Sequence, residues 1–349
     1  MTSRSFGSEV REAVSPRAIA LVLGVLALQL GFILSYIGAF HSPTPHRVKV
    51  AVVAPASVRP AVIEQLNALP GEPAHAVAGT DKATAASAIL RRDVDVALVV
   101  NPAGDTDTLL IASAAGPALS QVATEVGQRI EASRQRQLTV QDLRPPAPGD
   151  GRGLSSFYVV IGWMVGGYLA AAILGVTAGS RPANRDRAVI RLGALAVYSV
   201  VSGLGGALIA GPILDALPGP FLALAGIGAL VVFAAAAATM ALQVLFGVVG
   251  IGVAILFFVV LGNPSAGGPY PSTLLPGFWR GIGPWLPPGA GTTAVRNTAY
   301  FDGHAILAAM LLLAGYALIG GVVALVGATL LSRRGPRSPG AAAAPLAAS

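Results

Sequence analysis

Residues 221–261 run for about forty positions without one charged side chain. A helix crossing a hydrocarbon core uses about 20 apolar residues at a rise of about 1.5 Å each, so this stretch is too long for one crossing. It must fold back on itself, and Gln243 and Gly247 mark the turn. Similar apolar runs lie at 18–40, 155–178, 192–217 and 305–331, and the hairpin divides into 221–243 and 245–262. The chain is 54% hydrophobic and 11% charged, where soluble domains carry roughly 25% charged residues. The expected fold is therefore a mainly α-helical polytopic membrane protein with six transmembrane helices.

The run at 18–40 follows Arg11 and Arg17, as a signal peptide would. It exceeds the roughly 7–15 residues of a usual signal core, and no small-x-small site follows Phe40, so it reads as a retained helix. The preceding SEVREAV at 8–14 suits either a short amphipathic helix on the inner membrane surface or a solvated tail.

The net charge of +7 is unevenly distributed. Residues 41–153 hold eleven Arg/Lys against eleven Asp/Glu, and the excess sits at 1–17, 180–191 and 332–349, each flanking an apolar run. That is the positive-inside pattern, which places the N-terminal segment 1–17, the loop at 180–191 and the tail at 333–349 in the cytoplasm of a plasma-membrane protein. It argues against a nucleic-acid surface. Arg181, Arg185, Arg187 and Arg191 in that loop suit either anionic lipid headgroups or docking of a cytoplasmic partner. Asp215, beside Pro218, sits at the outer end of the third run, solvated at the interface or buried for function.

Residues 41–153 have the pattern of a small extracytoplasmic α/β domain and its linker. Strands are expected at 48–55, 75–79, 94–100 and 108–112, with helices after Ser57 and Thr80 and from Pro117 to Arg136. LRPPAPGDGRG then reads as a linker into the membrane. No phosphate-binding glycine loop follows the first strand, and Glu64, Asp93, Asp95 and Asp105 lack the spacing of a catalytic pair. The absence of cysteine excludes disulfides and thiolate metal sites, and His41, His46, His75 and His304 lack ligand spacing. Neither a cofactor, a metal nor a catalytic constellation is expected.

Two further features concern the membrane part. Gly162, Gly166 and Gly167 form a small-residue face on which another helix can approach closely. The uncharged segment GNPSAGGPYPSTLLPGFW at 262–279 contains too many prolines for a membrane helix and too little polarity for a solvent loop. With the rest of 263–304 it reads as an outer re-entrant or interfacial piece, its Trp279 and Trp285 at headgroup depth. Asn263, Pro264, Leu275, Pro276, Phe278, Trp279 and Arg296 are its candidate cap or gate residues, the alternative being a simple membrane-surface loop.

One helix, an outward domain, and five helices with a basic loop between the second and third span resemble the permease subunits of type 2 ABC transporters, particularly the YhgE/Pip (phage-infection-protein-like) branch. The resemblance is sharpest over 262–296, in Asn263, Pro264, Ser265, Gly267, Gly268, Leu275, Pro276, Phe278, Pro287 and Arg296. The outward domain here is shorter than the long insertion of many such proteins. The resemblance implies a permease paired as a homodimer or heterodimer in the lipid bilayer and driven by a separate ABC ATPase. The chain itself has no Walker A loop, since its lysines, Lys49 and Lys82, follow Val48 and Asp81. Export of an amphiphilic or lipidic substrate is the expected function. The alternative is a non-transporting membrane scaffold or receptor whose outer domain binds a partner.

Overall fold

The computed structural model describes residues 15–333; the SEVREAV segment, most of the N-terminal stretch 1–17 and the tail from 334 onward lie outside the described residues. Helix α1 (Pro16–Phe40) opens on Ser15, whose hydroxyl accepts from the Ala18 N–H at 3.2 Å, with Pro16 in the first turn where its missing donor is not needed. The sheet domain follows as β1 (Val48–Val53), α2 (Arg59–Asn67), β2 (Ala74–Ala78), α3 (Lys82–Leu90), β3 (Val96–Val99), β4 (Thr106–Ile111), α4 (Pro117–Ser133) and β5 (Gln137–Asp142). The membrane part consists of α5 (Ser155–Thr177), α6 (Arg185–Leu208), α7 (Phe221–Phe246), α8 (Val249–Ser265), α9 (Gly277–Ile282), α10 (Pro287–Tyr300) and α11 (Leu307–Arg333).

Among the described residues, five helices are long and apolar enough to cross a membrane: α1, α5, α6 with its extension to Ile213, α7 and α11. The chain is thus a membrane-embedded helical protein carrying a small α/β sheet domain. The expected hairpin does turn at Gly247, whose φ of 65° is open to glycine at little cost. Its returning arm, α8, differs from a sixth full span. At 17 residues it reaches roughly 25 Å, against a hydrocarbon core of about 30 Å. It is also irregular, widening into a π-helix over Leu256–Leu261. Pro264 has no N–H to give the carbonyl four residues back, that of Val260; the Ser35 hydroxyl of α1 donates to this oxygen instead. A backbone acceptor that lipid could not satisfy is thereby paired, and α1 is pinned to α8.

Helix α7 is the hub of the bundle, packing against α5, α6 and α11. Its small residues let backbones approach: a methyl at Gly167 of α5 would lie 2.5 Å from the Val232 carbonyl oxygen, and one at Gly203 of α6 would collide with the backbone at Ala225 and Ala229. Of the expected glycine face, Gly167 meets α7 and Gly166 meets Tyr198 of α6, but nothing lies within 4 Å of a methyl at Gly162. Trp163, buried between α5 and α6, donates from Nε1 to the Ser202 carbonyl at 3.0 Å.

Helix α6 begins well before the expected 192 because Asn184 caps it, accepting from the Arg187 N–H at 2.9 Å. Arg185, Arg187 and Arg191 therefore stand on its first turns, and Arg181 alone of the four remains in the loop.

The sheet order is β2-β1-β3-β4-β5, parallel except for the β3–β4 hairpin. Strand β5 falls where the sequence suggested the end of a helix and the start of a linker. Its residues are mostly exposed, and it exists as a strand because it pairs with β4 along its whole length, Thr106 with Gln137 through Ile111 with Asp142. Alternate residues divide the sheet's two faces. Val50, Val52, Leu98 and Leu109 pack with Val62, Leu66 and Leu119 of α2 and α4. Ala51, Ala97 and Leu110 belong to a core that contains Ala85 and Ile89 of α3 and continues into the bundle through Ala294, Val295 and Phe301. The expected linker is fastened as well. Buried Asp150 accepts from Ser155 N at 2.9 Å, Ser155 Oγ at 2.7 Å and the Tyr300 hydroxyl at 2.7 Å.

Candidate functional site

The most buried element near the sheet domain is α10, PPGAGTTAVRNTAY. Two prolines start it, and its small side chains let it enter the bundle against α5, α7 and α11. All its residues are buried except Ala299, half-buried, and Thr293, exposed. A helix sunk among other helices at this depth would need that exposed side chain to face a space.

Such a space exists. Gly289, Thr293 and Arg296 share one face of α10 by helical spacing and line a cavity of about 410 Å³. Ser265, Gly267 and Trp285 form another wall, Ala308, Ala309 and Leu312 of α11 with Ala305 just before it a third, and the sheet domain contributes Arg92 and Ala115. This chamber lies where the membrane bundle meets the sheet domain.

Two arginines define its electrostatics. Arg296 is 7% exposed, and its Nε and Nη2 are buried without a hydrogen-bond partner. Arg92 adopts a left-handed backbone (φ 66°) after α3, places its guanidinium 4.9 Å from the centre of the Phe301 ring, and has a buried, unpartnered Nη1. Among the described residues neither forms an ion pair within 4.0 Å. The carboxylate charge that acts on Arg296 is that of Asp150, which accepts hydrogen bonds from Ser155 and Tyr300; on Arg92 it is that of Asp95. Burial, reinforced by the neighbouring charge of Arg92, pushes Arg296 down to about 10, which leaves it cationic at neutral pH. Two guanidinium groups with buried nitrogens that no acceptor engages make a site short of negative charge, and the planar fork of arginine matches a phosphate or carboxylate.

A second cavity of about 470 Å³ begins at Leu312, which lines both. It is an apolar groove between α7, α8 and α11, bordered by Leu242, Phe257, Phe258, Gly315 and Ile319 among others. Tyr316 on its wall donates its hydroxyl to the Trp285 carbonyl at 3.1 Å, tying the groove to the chamber rim.

The expected cap residues separate into three groups. Leu275 is buried beside Leu274, which reaches into the sheet domain's core together with Tyr270; the segment is thus clamped by the sheet domain. Asn263 and Pro264 are buried at the end of α8. Phe278 is 58% exposed and meets Trp279 edge-on with ring centres 4.9 Å apart, so these two and half-buried Pro276 sit outside the packed centre, and Trp285 is 71% exposed. Arg296 lies in the chamber. Its companion Arg92 carries no signal in the sequence: an arginine pair at a helix end looks like ordinary solvated charge until the fold brings it under α10.

At the far end of the bundle the basic loop behaves differently. Arg181 donates to the Val244 carbonyl at 3.0 Å and the Leu245 carbonyl at 3.2 Å, while Arg191 donates to the Gly179 carbonyl at 2.8 Å and to that of Ala178. Both close helix C-termini, of α7 and α5, where the last carbonyls need donors and the dipole favours a cation. Among the described residues, the Arg185 and Arg187 side chains form no hydrogen bond or ion pair.

Against known proteins, the chain matches no family model, no curated protein and no solved structure.

Proposed function

We propose that this chain is a permease-like subunit of a type 2 ABC exporter for an amphiphilic or lipidic substrate. In this reading α8 serves as a short sixth span, both termini face the cytoplasm, and the sheet domain stands outside the plasma membrane. Two such subunits pair, and a separate ATP-binding subunit supplies the energy. The observation that carries the reading is the apolar groove among α7, α8 and α11, a space suited to hydrocarbon within a bundle that lipid surrounds. Arg185 and Arg187 stand ready for the ATPase or for anionic headgroups, since among the described residues no carbonyl or carboxylate engages their side chains.

The alternative, a non-transporting scaffold or receptor, draws less support from the fold. A receptor domain would present its faces to a partner, but one face of this sheet shares its core with the bundle and the other is covered by α2 and α4. The test is movement of a fluorescent lipid in vesicles containing the full chain together with the ATP-binding protein recovered with it by cross-linking in native membranes. ATP-dependent movement is the expected result. Recovery of no ATPase, or movement indifferent to ATP, would sink the proposal.

A further inference from the structure

The chamber and the groove meet at Leu312 of α11, which lines both. Ala305, Ala308 and Leu312 line the first; Leu312, Gly315, Ile319 and Val323 line the second. From Ala308 to Val323 these positions recur at helical spacing and span roughly 22 Å along the helix axis. One end of this track holds two unpaired guanidinium groups and the Thr293 side chain, and the other is hydrocarbon throughout. From this we infer that chamber and groove form a single binding site for an amphiphile with an anionic headgroup of the phosphate type, the headgroup between Arg92 and Arg296 and the chain beyond Leu312. The inference rests on the proposed function only for its role in transport; binding itself does not require it.

Charge complementarity decides the headgroup. A neutral head would add no charge, and a zwitterionic one would bring a further cation beside its phosphate into a chamber that already holds two. Among the described residues no carboxylate lies within 4.0 Å of either guanidinium, and Asp150 and Asp95 act on Arg296 and Arg92 only from a distance. Two guanidinium forks, one from each part of the molecule, can together supply donors to several oxygens of one phosphate. A headgroup held there would also bridge the sheet domain to α10. The groove decides against a small free anion, because such an anion would have no use for an apolar extension that opens from its own site. Leu312 stands at the junction and is the position where head and tail can be tested apart.

The experiment uses the full chain in nanodiscs of phosphatidylcholine and measures equilibrium binding of fluorescent phosphatidic acid, with the same fluorophore on phosphatidylcholine and inorganic phosphate as comparisons. Phosphatidic acid should bind at least about tenfold more tightly than the other two. Arg296→Gln should lose about tenfold, Arg296→Lys should retain part of the affinity, and Arg92→Gln should weaken binding from the sheet-domain side. Leu312→Trp should reduce lipid binding while Arg92 and Arg296 remain intact. Thermal unfolding of each variant distinguishes lost binding from lost fold, and the Arg92 variant stands in should Arg296→Gln fail to fold. Equal binding of the two lipids, or lipid binding indifferent to both arginine variants, overturns the inference. Inorganic phosphate binding as tightly as the lipid, with Leu312→Trp without effect, also overturns it in favour of a free-anion site. ATP-dependent movement of a neutral amphiphile that survives Arg296→Gln removes the anionic headgroup and leaves the permease reading standing. Headgroup-selective binding without ATP-dependent movement does the reverse.

Discussion

The two ends of the helix bundle treat arginine in opposite ways. At the far end Arg181 and Arg191 are spent on structure, each donating to the last carbonyls of a helix. At the sheet-domain end Arg92 and Arg296 are buried more deeply than a surface cation would be, yet have no internal partner for their buried nitrogens. The sheet domain shows that the protein can supply a carboxylate where it needs one: Arg136 bonds fully buried Asp107 at 3.0 Å through Nε and 2.5 Å through Nη2. An arginine that stabilises the fold comes with its acceptor. The difference lies in whether the fold places an acceptor against the buried nitrogens.

The strongest way to break this comparison is through the paired arginine. Asp107→Ala should destabilise the protein by about 3 kcal/mol, read by chemical denaturation of the sheet domain, because it removes the buried carboxylate that Arg136 and the Asn101 N–H share and leaves Arg136 only the Gly104 and Asn101 carbonyls and a longer contact with Glu131. Burial alone would raise the Asp107 carboxyl, but hydrogen bonds from Arg136 and Asn101, together with the charge of Arg136, hold it below its ordinary value. A depressed carboxylate lends stability that is complete above its unfolded value of about 4 and disappears as pH falls through the lower folded value. The wild type should therefore lose stability in that acid window, and the variant should lack this limb of the profile.

Next in size is Arg191→Met, which should cost about 2 kcal/mol by removing donors from the Ala178 and Gly179 carbonyls. Arg296→Met should act with the opposite sign. In the absence of ligand it should raise stability by about 1 kcal/mol, since an unpaired buried cation gives way to an apolar side chain of similar length. A matched loss of stability in both methionine variants, measured as shifts in thermal midpoint, would erase the distinction between the two ends. The smallest effect belongs to Arg187→Gln, within about 0.5 kcal/mol of wild type because its side chain caps nothing. Weaker co-purification of an ATPase with this variant, at unchanged stability, would assign Arg187 to docking.

Much of the architecture was legible along the chain. Apolar run lengths located α1, α5, α7 and α11, because a hydrocarbon core demands a minimum length of uncharged helix. Alternation and β-branched residues located β1 and β3, and Gly247 marked the hairpin turn. Other elements depended on partners that run length cannot show. Strand β5 owes its form to β4, α6 starts early because Asn184 caps it, and α8 is shortened and irregular around the proline whose orphaned acceptor α1 satisfies. Gly162, Gly166 and Gly167 look alike in sequence, yet Gly162 faces open space.

The site divides in the same way. Arg296 stood out in sequence, in the uncommon proline-rich and glycine-rich segment before the last span, and Arg92 did not. What the sequence alone determined was a charge-poor membrane chain with an α/β insertion, since hydrophobic length, charge asymmetry and strand-helix alternation are local properties that one segment can express unaided. Only the tertiary structure decided which arginines are paired, which cap helices and which line a shared chamber. Those outcomes depend on what faces each side chain across the fold, and in a desolvated interior the presence or absence of one opposing carboxylate changes a cation from a structural element into a binding group.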